Sequence, residues 1–578
     1  MKIKRAISIV ISITALIVLG NYLINNLYLV YSTVDSWVVN ARTVDSATGR
    51  NGVVVSTQKE ASKVGLQVLK DGGNAIDAAV AVGYALAVTD PCCGNLGGGG
   101  FMTIRLANGR ETFINFRETA PLKASADMYL DERGELIKDL STNGYLAVGV
   151  PGTVMGLNYA LDKYGTKSRS QIIEPAIELA KGFVLQSGDV KIFKAGKKKL
   201  LEPNVAEIFL AGNQTYQVGD TLVQTDLASS LEAIAKGGTD SFYRGEIAQK
   251  VVAASRKNQG ILSLEDFANY QVSEYAPVSC DYRGYRVISS PPPGGGTTVC
   301  QMLNILSGYD LQKLGWHTPQ SLHPMFSSML LAFGDRNRYL GDPDFVDNPT
   351  DKLLSTEYAE RLRDKITFEA IDPESVYKTD IQTEGTNTTH YSLVDKAGNA
   401  VAVTYTINSY FGAGVIAPGT GFLLNNEMDD FTTKLGAANQ FGLRQGEANS
   451  IEPGKRPLSS MSPTIVTKDG QLYLVTGSPG GSTIPTTVLQ VITNAIDYDM
   501  NLADAVNSPR LHYQGLPDRV VSEPRAIASE VFRGLQLRNY NILPMIRWGA
   551  AESIMVHPNG TIMGVNDIRK PAGKAVAY

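Results

Sequence analysis

Apolar and polar positions change rhythm several times along this 578-residue chain. Val53–Thr57 reads as a strand. Lys59–Leu69 follows with the three-to-four-residue spacing of an amphipathic helix, which Gly72-Gly73 ends. Ala75–Val88 is apolar on nearly every face, which predicts a buried helix with Asn74 as its N-cap. The block Pro91 to Gly100 interrupts it, and strands Phe101–Leu106 and Glu111–Phe116 follow, joined by the turn Asn108-Gly109. From about residue 150 to 380 the spacing is mostly helical, including Gln171–Lys181, Asp226–Lys236 and Pro324–Phe333. Pro291 to Gly296 forms a rigid-then-flexible break before a helix that starts near Thr297. Alternation of period two then takes over and predicts strands at Tyr391–Val394, Ala400–Ile407, Thr464–Val466 and Leu472–Thr476. No internal repeat is present.

The N-terminus departs from this pattern. Lys2, Lys4 and Arg5 precede the apolar run Ala6 to Gly20, the charged and apolar regions of an export signal. Apolar character continues to Tyr31, broken by Asn21, Asn25 and Asn26, and no clean small-x-small cleavage site follows. Residues 1–40 are therefore read as a signal peptide or an N-terminal membrane anchor with its flank, with cleavage left open.

Composition narrows the class. A charged fraction of 19% with 43% hydrophobic residues excludes an intrinsically disordered chain. A net charge of −4 supplies no basic field for nucleic acid. Cys92 and Cys93 are adjacent and are not expected to bridge each other. Cys280 and Cys300 are expected as buried thiols, with pairing in an oxidising compartment as the alternative. With no CxxC, no HExxH and scattered histidines, a metal site has little support. The 56 glycines cluster in short blocks, which points to backbone used as a working part.

One junction carries chemistry. Gln382 to His390 is polar and turn-like, directly ahead of a strand. Asp395-Lys396-Ala397-Gly398-Asn399 has the form of a hairpin loop, with Gly398 at the left-handed position of a G1 bulge. That register pairs residue 394 with 400 and sets Thr388 opposite Thr406, two hydroxyls within reach of each other. A threonine pair is also ordinary in sheets, so the register alone leaves structural and catalytic readings open.

Thr388-Thr389-His390-Tyr391-Ser392-Leu393-Val394-Asp395 resembles the start of the small subunit of γ-glutamyltransferases, members of the N-terminal-nucleophile hydrolase superfamily. Further blocks agree in order: Gly73 to Ala79, Gly97 to Phe101, Phe116 to Pro121, Val150 to Gly152, Asn425 to Phe431, Arg456 to Pro463 and Gly477 to Gly481. The resemblance implies an α+β fold, a four-layer αββα sandwich, with no metal or organic cofactor. It also implies a precursor that cleaves itself between Asn387 and Thr388. The products would be a large subunit, 41–387, and a small catalytic subunit, 388–578, held together as a heterodimer.

The implied nucleophile suits independent chemistry. A threonine hydroxyl needs a base, and cleavage would free an α-amine, a group that ordinarily titrates at about 7.7–8.0, near the working pH. Thr406 would orient the hydroxyl, and Thr389 is the competing nucleophile. By resemblance, Gly480 and Gly481 form the oxyanion hole. Arg117, with Ser459 and Ser460, binds the substrate α-carboxylate. Asp430, Glu427 and Asn408 hold its α-ammonium. Gly97 to Gly100 are expected to let chain segments approach closely beneath the site.

This sequence departs from the family at three places. Phe441 stands where some relatives carry a lid-loop tyrosine, Cys92-Cys93 replaces small hydroxyl residues, and Asp567-Ile568-Arg569 lacks a proline. The expected activity is cleavage of γ-glutamyl amides such as glutathione, with transfer to water, an amino acid or a peptide. The alternative within the fold is an acylase of glutaryl or β-lactam side chains, or of poly-γ-glutamate. Membrane contact is expected only through the N-terminal segment.

Overall fold

The computed structural model describes residues 44–212, 214–377 and 388–578. The expected export segment and Asn387 lie outside the described residues. Two seven-stranded sheets form the centre, and every pairing within them is antiparallel. The first runs in the order Lys574–Ala577, Gly52–Ser56, Thr389–Asp395, Ala400–Thr406, Gly99–Arg105, Glu111–Phe116 and Ser273–Tyr275. The second runs Ser46–Gly49, Ile562–Val565, Ser553–Val556, Gln471–Thr476, Thr464–Lys468, Tyr285–Ser289 and Val278–Tyr282.

The sheets pack face to face and helices cover both outer faces, giving the four-layer αββα sandwich. The two-residue period distributes each strand between layers. Val53 and Val55 join Val394, Ala402, Ile465 and Val475 between the sheets. Val54, Leu393, Val401 and Val403 face the outer helices. Because both faces are covered, Gly52–Ser56 and Thr389–Asp395 are buried throughout, and the usual alternation of apolar with polar residues weakens.

The helices Lys59–Lys70, Ala75–Thr89 and Thr153–Tyr164 lie on the first sheet. Every residue of Ala75–Thr89 is buried. Its start is closed reciprocally: Asn74 Oδ1 accepts from the Ile76 and Asp77 N–H groups, and Asp77 Oδ2 accepts from the Asn74 N–H. The remaining first-turn N–H, from Ala75, donates to Asp395 Oδ2 at 2.9 Å. A carboxylate from the hairpin loop thus sits at the positive end of the central helix.

The same Asp395 shapes the hairpin. Its Oδ1 accepts from the N–H groups of Ala397 and Asn399, and Gly398 takes φ 90°. The register pairs Val394 with Ala400 and Thr389 with Tyr405, as the loop chemistry requires. On the second sheet, Gly296–Leu306 and Ile484–Ile496 form the outer layer, with Pro319–Tyr339 behind them.

Both cysteine expectations need correction. Cys280, in the strand Val278–Tyr282, is bonded to Cys300 on the helix that packs over it, with Cα atoms 5.7 Å apart. Cys92 and Cys93 also form a disulfide, in the turn that follows Ala75–Thr89. Sequence spacing could not show that this turn brings adjacent sulfurs together, or that strand and helix place the other pair side by side.

Candidate active site

Thr388 immediately precedes the strand Thr389–Asp395 in the middle of the first sheet. Its Oγ lies 3.4 Å from the Thr406 Oγ, and both residues are buried. The Thr406 Oγ also accepts from the Asn408 N–H at 2.8 Å. Asn408 adopts φ 73°, a left-handed conformation that asparagine tolerates, and this turns the chain out of the sheet into the site. Asn408 Nδ2 donates to the Asn426 carbonyl at 3.0 Å. Thr389, the competing hydroxyl, faces the other way. It lies 2.7 Å from Thr57 Oγ1 and 3.0 Å from Asp90 Oδ2, within the interior.

The glycine run supports this edge by close approach. A Cβ on Gly98 would lie 2.0 Å from the Thr406 carbonyl oxygen, and one on Gly97 would lie 2.1 Å from the Leu423 oxygen. Only hydrogen fits at either position. Gly480 and Gly481 are consecutive residues at positive φ, 143° and 55°, ahead of the helix Ile484–Ile496.

A small, partly open cavity of about 20 Å³ joins these parts. Its wall contains Thr388, Thr406, Asn408, Gly481, Arg117, Glu427, Asp430, Ser459 and Ser460, together with Arg336, Asn439 and Phe441. Gly480 adjoins the wall through Gly481. The structure therefore gathers the residues that the sequence picked out from six separate segments. The Ser459 Oγ accepts from the Met461 N–H at 3.2 Å, and its own proton remains available for donation. Phe441 is buried, with its carbonyl accepting from Gln514 Nε2 at 3.1 Å.

The charges at one end of this cavity are concentrated. Arg117 is fully buried; its Nη1 donates to Glu427 Oε1, its Nη2 to Asp430 Oδ2 at 2.5 Å, and its Nε to the Pro457 carbonyl at 3.3 Å. Glu118 Oε2 lies 3.6 Å from Arg117 Nη1, and neither Glu118 oxygen has a hydrogen-bond partner among the described residues. Burial pushes the Glu118 carboxyl up to about 8 against the pull of Arg117. Burial also raises Glu427 and Asp430, again opposed by Arg117. Burial works against the Arg117 charge, but Glu427, Asp430 and Glu118 together hold it firmly protonated.

Sequence reasoning missed Arg336 and Asn439 and assigned no role to Glu118. Arg336 follows the buried residues Met329, Ala332 and Phe333 at helical spacing, so a charged residue on an apolar helix face was the available signal. Asn439 Nδ2 stands 3.4 Å from Asp430 Oδ1. Asp90, Cys92 and Cys93 form a cluster of metal-ligand types within 4.8 Å, but both sulfurs belong to a disulfide and offer no thiolate.

A threonine hydroxyl at the head of a central strand opens onto a cavity charged with both signs, within the four-layer sandwich of the N-terminal-nucleophile hydrolases. The gamma-glutamyltranspeptidase family matches residues 61–577. The chain is 52% identical over 545 residues to the glutathione hydrolase proenzyme of Pseudomonas sp. (strain A14), covering 91% of this chain and 94% of the relative. It is 47% identical over 535 residues to the glutathione hydrolase proenzyme of Escherichia coli (strain K12), covering 92% of each. The solved cephalosporin acylase from Bacillus halodurans superposes with a TM-score of 0.81 at 28% identity, covering 93% of this chain and 97% of that one. The chain belongs to the gamma-glutamyltranspeptidase family.

Proposed function

We propose that this protein is a self-processing γ-glutamyltransferase and glutathione hydrolase. The observation that carries this reading is the shared cavity. It joins the Thr388 hydroxyl to a buried group of one arginine and two carboxyls, Arg117 with Glu427 and Asp430. A γ-glutamyl head group carries an α-carboxylate and an α-ammonium, and so needs both signs. Arg117, Ser459 and Ser460 take the carboxylate, while Asp430, Glu427 and Asn408 take the ammonium.

Maturation hydrolyses the Asn387–Thr388 peptide bond and gives a large subunit that ends at Asn387 and a small one, 388–578. The freed α-amine of Thr388 then removes the hydroxyl proton as Oγ attacks the γ-carbonyl. Gly480 and Gly481 N–H groups receive the developing oxyanion. Collapse breaks the amide bond, the amine leaves with the proton, and the γ-glutamyl group remains as a threonine ester. Water or an acceptor amine attacks that ester, and the Thr388 oxygen leaves to complete the cycle. Thr406 orients the hydroxyl throughout.

Likeness to a cephalosporin acylase favours one other reading, an acylase of glutaryl-type side chains. Such a side chain lacks the ammonium that two buried carboxyls would receive, so the γ-glutamyl head group fits the charge better. Comparing γ-glutamyl with glutaryl amides of one leaving group tests this, and preference for the glutaryl amide would reverse the assignment. Mass analysis and N-terminal sequencing of the mature chains tests the cut: a fully active, uncut chain would refute it.

Export belongs to the same reading and is supported by the charged-then-apolar residues 1–40. Among the described residues no helix is long and apolar enough to cross a membrane. Cell fractionation, with the same N-terminal sequencing, tests whether the protein is exported and whether the segment stays attached.

A further inference from the structure

The cavity holds a second guanidinium with no assigned work. Arg336 lies near the end of the helix Pro319–Tyr339, is 2% exposed, and forms part of the cavity wall. Its Nη1 donates to Asn337 Oδ1 at 2.7 Å and to Gln445 Oε1 at 3.2 Å, while its Nε–H has no partner among the described residues. Gln445 turns the other end of its amide to Asp430, donating from Nε2 to the backbone carbonyl at 2.8 Å. Asn449 Nδ2 donates to that carbonyl as well, at 2.7 Å. A chain of polar contacts therefore runs from Arg336 through Gln445 to Asp430. Burial lowers the Arg336 pKa to about 10, which leaves it protonated at neutral pH, and Asp430 acts to keep the charge in place.

A buried guanidinium is costly unless a specific charge requires it. Asp430 lines the same cavity wall and is the carboxyl that Arg336 reaches, through Gln445 and the Asp430 backbone. Arg117 already uses Nε, Nη1 and Nη2 on Pro457, Glu427 and Asp430. A substrate carboxylate gripped by two N–H groups must share Nη1 and Nη2 with Glu427 and Asp430, which already take one hydrogen from each. Asp430 would then face the substrate ammonium with a weakened partner. Arg336 does not move in that exchange, because Asn337 and Gln445 hold it.

We propose that Arg336 is a positioning residue of the γ-glutamyl subsite: it fixes Asp430 through Gln445 and supplies its standing countercharge, which frees Arg117 to bind the substrate carboxylate. This makes Arg336 a determinant of selectivity for head groups that carry an α-ammonium. The inference rests on the γ-glutamyl reading above and deepens it.

The test compares γ-glutamyl-p-nitroanilide with glutaryl-p-nitroanilide, which lacks the ammonium, on purified protein checked for subunit formation. Wild type is measured first. If it does not turn over the γ-glutamyl amide, the functional reading fails, independently of Arg336. In Arg336→Met and in Gln445→Ala, kcat/KM for the γ-glutamyl amide is expected to fall about tenfold or more, the scale of a charge-assisted contact. For the glutaryl amide it should change by less than about threefold. Arg336→Lys, which keeps the charge, should recover most of the loss. Equal losses on both substrates, no loss on either, or no recovery with lysine would each overturn the proposal. If Arg336→Met yields no folded protein, Gln445→Ala decides between the two outcomes.

Discussion

The hydroxyl oxygens of Thr388 and Thr406 stand 3.4 Å apart across two antiparallel strands, and the Thr406 oxygen also accepts from the Asn408 N–H at 2.8 Å. One hydroxyl thus ties Thr388 to Asn408, the residue that turns the chain out of the sheet. Replacing Thr406 with valine keeps the shape but removes both contacts and leaves the buried Asn408 N–H without an acceptor. The loss of a buried partner costs about 1–3 kcal/mol. We expect a fall in kcat of about ten- to a hundredfold, with a smaller change in KM. Thr406→Ser should retain most activity. Steady-state kinetics on fully processed protein checks this, and a valine variant as active as wild type would remove Thr406 from the mechanism.

Arg117 offers a second prediction, because its partners are buried with it. Arg117→Met leaves Glu427, Asp430 and Glu118 without their shared cation, and breaking a buried pair in this way costs about 3–5 kcal/mol. Arg117→Lys keeps a charge but loses the planar fork that reaches two carboxyls at once. The methionine variant should therefore lose both stability and activity. The lysine variant should stay folded, with kcat/KM lowered by about tenfold or more. Thermal unfolding and donor kinetics, measured together, separate the two effects.

The strand that follows Thr388 was legible because Gly398 and Asp395 specify a hairpin register locally. The buried helix at Ala75 was legible from its composition and its Asn74 cap. The residues grouped around Arg117 were legible only through the family resemblance, since no local pattern joins 117 to 430. Arg336 was hidden because a helix pattern describes which face is buried but not what that face meets. The helix also begins earlier than its apolar core suggested: Thr318 accepts from the Ser321 N–H and Pro319 occupies the first turn. The Cys92–Cys93 bridge depends on one turn conformation, which composition does not encode.

The sign of the pH dependence follows from Glu118. Its carboxyl is held up to about 8, well above an ordinary glutamate, by burial opposed by Arg117. Between the unfolded pKa near 4.3 and the folded value, the native state keeps a proton that the unfolded chain has released. Stability therefore falls as pH rises through this window. Glu118→Gln is neutral at every pH and removes this contribution. Unfolding free energies at pH 5 and pH 8 should differ less in the variant than in wild type, with the wild-type protein more stable at pH 5 on this account. A variant with the same slope would show that Glu118 titrates normally in the folded protein.

Gly398, in the hairpin loop, and Gly98, against the Thr406 carbonyl, separate two uses of glycine. Gly398 takes φ 90°, and a Cβ there would meet no atom within 4 Å, so its requirement is conformational. Asparagine tolerates such backbone, and Gly398→Asn should cost about 1 kcal/mol or less and leave kcat nearly unchanged. Gly98 has no such φ, but a Cβ there would lie 2.0 Å from the Thr406 carbonyl oxygen and 2.8 Å from Ile407 Cγ2. The nearest of these neighbours is backbone and cannot step aside without moving Thr406. Gly98→Ala should therefore cost at least about 1–3 kcal/mol and shift the hydroxyl that orients Thr388, lowering kcat as well. Denaturant unfolding and kinetics on both variants provide the comparison. If Gly98→Ala proved as benign as Gly398→Asn, the close approach of Gly98 to Thr406 would not be what the site requires.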